Sequence, residues 1–186
     1  AVAAAWPLCY SRRWREVVFF TANEREIMNV KSLHDGAPLV SVVMPAYNAA
    51  RYISEAIESV ISQSFGDWEL IIVDDCSSDG TVPAARRYKE RDGRISLFSN
   101  DTNLGVSMTR RKGVSISRGE WIAFLDADDV WESVKLERQL RFASETGAGF
   151  TYTGSSFIDG EGRPYEWRMD VPEKSCYRSL LRQNVI

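Results

Sequence analysis

The sequence predicts an α/β fold with a mostly parallel sheet flanked by helices. Three observations support this. Apolar, β-branched runs alternate along the chain with segments of helical period. The strand-like runs are apolar at successive positions, as strands covered on both faces are. Three of them end in polar clusters: Pro45-Ala-Tyr-Asn48, Asp74-Asp75 and Asp126-Ala-Asp-Asp129.

The elements follow in order. Residues 1–36 carry no sustained period and read as an N-terminal extension: an Ala-rich start, then the basic Arg12-Arg-Trp-Arg15. The basic cluster follows the apolar stretch instead of preceding it, so this segment does not read as a signal peptide. Two readings stay open here. Either the native chain begins at Met28, or residues 14–20 form a helix on the domain. Residues 39–44 read as a strand closed by Pro45, and 51–64 as a helix with Ile53, Ala56, Ile57 and Val60 on one face. A second strand spans 69–73. A helix follows to about residue 91, with Pro83 in its tolerant first turn. Residues 95–98 form a third strand, 105–117 a helix weakened by Gly113, and 121–125 a fourth strand. A helix over 132–145 ends at Gly147. Residues 150–153 are expected as a fifth strand, and 177–182 as the start of another helix.

Composition narrows the function. The chain has 186 residues, 44% hydrophobic and 26% charged, the balance of one globular domain with an appendage. Its net charge of −3 offers no basic surface for nucleic acid. No apolar run approaches the roughly 20 residues of a membrane span. The three cysteines (Cys9, Cys76 and Cys176) are widely spaced and form no CxxC pair. Neither a disulfide framework nor a zinc site is indicated, and a reducing cytoplasm is the expected home. With His34 as the only histidine, chemistry must rest on carboxylates, arginines, hydroxyls or backbone.

In parallel sheets, ligands bind beyond the carboxyl ends of the strands, where the polar clusters fall. Six acids gather there: Asp74, Asp75, Asp79, Asp126, Asp128 and Asp129. Carboxylates held together repel unless a cation or hydrogen-bond donors offset them. Asp126 and Asp128, two apart beyond a buried strand, suit Mg²⁺ or Mn²⁺ bridging to substrate phosphates. Asp75 could accept from a base or ribose. Asp79 has a plainer use as a helix cap, and Asp129 as the start of a turn. Calcium-loop patterns fail: from Asp126 they put Trp131 where Gly is required, and from Asp75 they end on Arg86. No P-loop or GxGxxG fingerprint is present. Tyr47 either stacks on a base or packs, and Trp131 either walls the site or plugs the core. In Arg110-Arg111-Lys112, Arg110 is placed to face phosphate, against the alternative of a solvated face.

Four stretches in order carry a resemblance. They are Val40-Ser-Val-Val-Met-Pro-Ala-Tyr-Asn48, Ile71-Ile-Val-Asp-Asp-Cys-Ser-Ser-Asp-Gly-Thr81, Asn103-Leu-Gly105 and Gly119-Glu-Trp-Ile-Ala-Phe-Leu-Asp-Ala-Asp-Asp129. Together, over about residues 38–140, the chain resembles family 2 glycosyltransferases with the Rossmann-like GT-A fold. The resemblance implies a nucleotide-diphosphate sugar donor (a UDP-sugar favoured), Mn²⁺ or Mg²⁺, usually inversion, and a glycan or lipid-linked acceptor. It implies polysaccharide synthesis for the cell envelope, in the cytoplasm or at the inner face of the membrane. By position, Pro45, Ala46 and Tyr47 would lie along base and ribose, with Asn48 in the same binding set. Asp75 would accept from the base edge, Arg110 would sit near the phosphates, Asp126 at the ribose, and Asp128 on the metal. Departures are Met108-Thr109 for smaller residues, Arg111 for a frequent Asn, and Cys76 for a frequent Gly. The family's acceptor base comes from a later segment. Asp159, Glu161, Glu166, Asp170 and Glu173 match no base motif, so the base is expected beyond Ile186. Residues 37–186 then form the donor-binding part of a longer domain, inactive alone or a non-catalytic nucleotide-sugar binder. A phosphoacceptor receiver domain built on Asp126 is the alternative from another class. It is disfavoured by the strand and helix that precede Asp74. A sugar-phosphate nucleotidyltransferase would need a Gly-rich loop where Pro45-Ala-Tyr-Asn48 stands.

Overall fold

The computed structural model describes residues 6–10, 20–21, 36–158 and 164–168. Its elements are β1 (Trp6–Tyr10), β2 (Phe20–Thr21), β3 (Val40–Ala46), α1 (Ile53–Ile61), β4 (Trp68–Asp74) and α2 (Thr81–Lys89). There follow β5 (Ile95–Ser99), α3 (Val106–Ile116), β6 (Trp121–Phe124), α4 (Lys135–Thr146), β7 (Thr153–Ile158) and β8 (Pro164–Arg168). The main sheet has the order β2-β6-β3-β4-β5. Strands β6, β3, β4 and β5 are parallel, and the two-residue β2 joins β6 antiparallel.

All seven residues of β3 and all seven of β4 are buried. That is why both read as mainly apolar runs, interrupted by Ser41, Glu69 and the terminal Asp74, rather than as strict alternation. The faces divide by parity. Val42 and Met44 of β3, with Leu70 and Ile72 of β4, join the cluster formed by Ile53, Ile57 and Val60 of α1, Ala85 of α2 and Leu136 of α4. The odd position Val43 faces α3. There a Cβ on Gly113 would lie 2.3 Å from Val43 Cγ1. The glycine that weakens this helix by propensity is what lets it lie against β3. Gly119 is set equally tightly, since a Cβ there would meet Ser41 N at 2.5 Å.

At the amino ends of the strands, Glu69 gathers three segments. Its Oε1 accepts from Ser41 Oγ at 2.7 Å and from Arg118 N–H at 2.9 Å. Its Oε2 accepts from Arg118 Nε and Nη2. Ser41 Oγ in turn accepts from Gly119 N–H at 2.8 Å.

Two expected elements shift. The helix expected from residue 132 begins at Lys135. Glu132 and Ser133 give their carbonyls to Gln63 Nε2 and Ser64 N–H, which tie this turn to the end of α1. The fifth strand is Thr153–Ile158 rather than 150–153, and it does not extend the main sheet. It pairs in parallel with β1 and antiparallel with β8, forming a second, three-stranded sheet in the order β1-β7-β8. The helix expected at 177–182, the Met28 start and residues 14–19 lie outside the described residues. So do Asp159, Glu161, Asp170 and Glu173.

Candidate donor-binding cleft

The carboxyl ends of β3, β4 and β6 border a cleft of about 530 Å³. That volume is typical of a small-molecule site. Of the residues singled out from sequence, Pro45, Ala46, Tyr47, Asn48, Asp75, Asp126 and Asp128 all line it. Asn103, Gly105, Val106 and Thr109 form another part of the wall. Tyr47 is 53% exposed and so is not a core residue. Trp131 is buried, with Lys135 Nζ 4.8 Å from its ring centroid, so it plugs the core.

The loops after β3 and β4 are clasped together. Asn48 N–H donates to Ser77 Oγ at 3.0 Å, and Asn48 Oδ1 accepts from Ser78 N–H at 3.0 Å. Ala49 N–H donates to Thr81 Oγ1, and Ala50 N–H to Asp79 Oδ2. Asp79 Oδ1 accepts from both the N–H and the hydroxyl of Thr81. Asp79 therefore braces the start of α2 from the position before Gly80, which is the helix's N-cap. Burial pushes the Asp79 carboxyl up, but the bonds from Thr81 and Ala50 outweigh it and hold it below its ordinary 3.8. The side chain of Asn48, expected in the ligand set, is engaged in this clasp.

The clasp needs two left-handed residues, Asn48 (φ 47°) and Cys76 (φ 63°). Asn tolerates that region, whereas Cys is strained by its Cβ. The frequent Gly of the family would fit without strain. Cys76→Gly is expected to raise stability by about 1 kcal/mol, the relief of strain exceeding the added chain entropy. A higher urea midpoint at unchanged slope is the check.

Asp75 is 3% exposed, and its carboxylate is used internally. Oδ1 accepts from Asn100 Nδ2 at 2.8 Å and Leu104 N–H at 2.9 Å, and Oδ2 from Gly105 N–H at 2.8 Å. Burial pushes this carboxyl up, but those donors outweigh it and leave it below 3.8. The Thr109 side chain lowers it further, and Oδ2 accepts one of the three bonds against two on Oδ1. Its neighbour Asp74 accepts from Ser77 N–H through Oδ2, while its buried Oδ1 has no hydrogen-bond partner among the described residues.

Arg110 and Asp126 meet each other directly. Arg110 Nη2 lies 2.6 Å from Asp126 Oδ1, with both side chains about one-quarter exposed or less. The guanidinium also sits 5.8 Å from the centroid of Phe124. Asp129 is buried, and its N–H closes the turn onto Asp126 O at 3.0 Å. No third His, Cys, Asp or Glu joins Asp126 and Asp128 in a metal-sized cluster among the described residues. Such a pair fits a hard cation that takes its other oxygens from phosphate and water, not an all-protein cage. Sequence reasoning missed Asn100 and Thr109. The signal for Asn100 was available, because it is the polar residue directly after β5, the third strand expected from sequence.

The fold is that of the GT-A glycosyltransferases. The description of glycosyl transferase family 2 matches residues 41–185, and the chain belongs to that family. TuaG of Bacillus subtilis (strain 168), named for teichuronic acid biosynthesis, is 41% identical over 149 residues, which cover 80% of this chain and 59% of TuaG. WfgD of Escherichia coli, a UDP-Glc:alpha-D-GlcNAc-diphosphoundecaprenol beta-1,3-glucosyltransferase, is 35% identical over 77% of this chain and 55% of its own length. The chain thus spans little more than half of these curated relatives. Among solved structures, Staphylococcus aureus TarS 1–349 with UDP-GlcNAc superimposes with a TM-score of 0.54 at 30% identity, over 57% of this chain and 31% of TarS 1–349. The Pyrobaculum calidifontis mannosyltransferase PcManGT, with GDP-Man and Mn²⁺, gives 0.54 at 26% identity, over 59% of this chain and 33% of that one. The receiver-domain alternative falls with the family match. No helix among the described residues is long and apolar enough to cross a membrane.

Proposed function

We propose that this chain binds a nucleotide-diphosphate sugar, a UDP-sugar favoured, as the donor site of a metal-dependent, inverting transferase. A single observation carries the reading. One cleft at the carboxyl ends of three parallel strands holds an exposed aromatic, an acceptor carboxylate and a pair of acids two residues apart. Tyr47 supplies a face for the base, beside Pro45 and Ala46. Asp75 Oδ2 takes a base N–H. Asp126 borders the ribose end, held in place by Arg110, whose charge also favours the diphosphate. Asp128, with Asp126, would hold Mn²⁺ or Mg²⁺. The ion would neutralise charge on the departing nucleoside diphosphate as an acceptor hydroxyl displaces it from the anomeric carbon. We assign the base that deprotonates that hydroxyl to no residue of this chain. The names of TuaG and WfgD support an envelope-polysaccharide or lipid-linked acceptor.

The test is titration of the chain with UDP in Mn²⁺ and then in excess chelator. Saturable binding that weakens at least about tenfold on chelation is expected. Equal affinity in both, or no binding at all, overturns the reading.

A further inference from the structure

Behind Asp75 runs a line of hydrogen bonds that the proposed donor contacts do not use. Lys112 Nζ donates to Ser99 O at 2.7 Å and to Asn100 Oδ1 at 2.9 Å. Asn100 Nδ2 donates to Asp75 Oδ1 and, at 3.1 Å, to Thr109 Oγ1. Thr109 Oγ1 passes its own proton to Gly105 O at 2.9 Å. An ammonium only donates and a carboxylate only accepts, so the Asn100 amide has one satisfying orientation. Asn100, Thr109 and Asp75 are all buried, where an unmatched polar group is costly.

The line ends on the cleft wall. Asp75 receives the N–H groups of Leu104 and Gly105, and Thr109 holds the Gly105 carbonyl. Gly105 is left-handed (φ 81°), a conformation glycine permits but does not impose. Within the loop Asn103 Oδ1 accepts from the Gly105 N–H at 3.2 Å, and from outside it Asp75 Oδ2 accepts from the same N–H at 2.8 Å.

We infer that Asn100 is a positioning residue of the donor cleft. It acts through Asp75 and Thr109 to set the 103–106 wall and does not touch the donor. This rests on the donor reading for its functional half. Its structural half stands on the hydrogen bonds alone. Asn100 orients the Asp75 carboxylate, the carboxylate folds the Leu104–Gly105 backbone, and Asp75 Oδ2 is thereby aimed. Lys112, at the surface end, keeps the amide from turning over.

The experiment is Asn100→Leu, a substitution of similar volume, read by amide NMR and by UDP titration in Mn²⁺. The Leu104 and Gly105 amide protons are expected to move upfield and lose at least about tenfold in exchange protection. Those of Arg118 and Gly119, bonded to Glu69 and Ser41 at the other end of the sheet, are expected to stay. UDP affinity is expected to fall about tenfold, the effect of one disordered binding wall. Unmoved Leu104 and Gly105 amides overturn the inference, whatever happens to UDP. Moved amides with unchanged UDP affinity overturn its functional half. Moved amides in a chain whose wild type binds no UDP leave the positioning intact and remove the donor reading instead. If Asn100→Leu does not fold, Lys112→Met, which changes a partly exposed residue, must move the same two amides in the same direction. Failure to do so overturns the inference.

Discussion

Asp128→Asn is expected to abolish the metal dependence of UDP binding. Affinity in Mn²⁺ falls about 100-fold, roughly 2.8 kcal/mol, to the level seen with chelator. The size follows from how the charges are shared. Asp126 already spends one oxygen on Arg110 at 2.6 Å, so its negative charge is partly offset before any cation arrives. Asp128 lines the same cleft and supplies the second carboxylate of the pair. Removing its charge leaves one guanidinium-paired acid to face a divalent ion, and hard cations bind through charged oxygen. Asp126→Asn has a mixed outcome, because it also frees an arginine whose Nε has no partner among the described residues. Calorimetry of the Asp128 variant with and without Mn²⁺ decides the point. Superimposable wild-type and variant titrations would show that the cation lies elsewhere.

Glu69→Leu is expected to cost about 3 kcal/mol, or about 9 °C in Tm for a domain of this size. The loss strands the Ser41 hydroxyl and the Arg118 N–H, which Glu69 Oε1 serves together. The ion pair itself adds little, because the Arg118 side chain is 63% exposed. Burial pushes the Glu69 carboxyl up, but the bonds from Ser41 and Arg118 prevail and hold it below its ordinary 4.5. A folded pKa below the unfolded one means stabilisation that is complete above pH 4.5 and lost as pH falls through the folded value. Asp75 and Asp79 shift in the same direction from 3.8, so the wild type is expected to lose Tm steeply below about pH 4.5. The Glu69 variant should show a shallower fall. Parallel Tm–pH curves for the two proteins would exclude Glu69 from that acid response.

Much of the fold was legible. The mainly apolar runs of β3 and β4 announced strands covered on both faces, and the parallel arrangement follows from the helices between them. Parallel strands put their carboxyl ends on one edge, so three polar clusters implied one site before any contact was known. What each polar group does there was less legible. Asn48 and Asp75 were expected to face a ligand. In the folded chain Asn48 clasps Ser78, and most of Asp75 holds Leu104, Gly105 and Asn100. Cys76 read only as a departure from a frequent Gly, until its left-handed backbone showed why glycine suits that position. Gly113 read as a weakness of its helix and proved to be its point of closest approach to the sheet.

The sequence by itself therefore determined the fold class, the family and the edge of the sheet where the polar clusters gather. Each of these is written in local pattern, because burial along a single strand or helix dictates its own residues. Only the tertiary structure decided the strand order β6-β3-β4-β5, the departure of β7 into a second sheet, and the partners of Glu69, Asp75 and Arg110. Those partners lie between 16 and 49 residues away along the chain. A hydrogen bond across that distance leaves no period behind it. It exists only once the packed sheet brings the two groups within 3 Å.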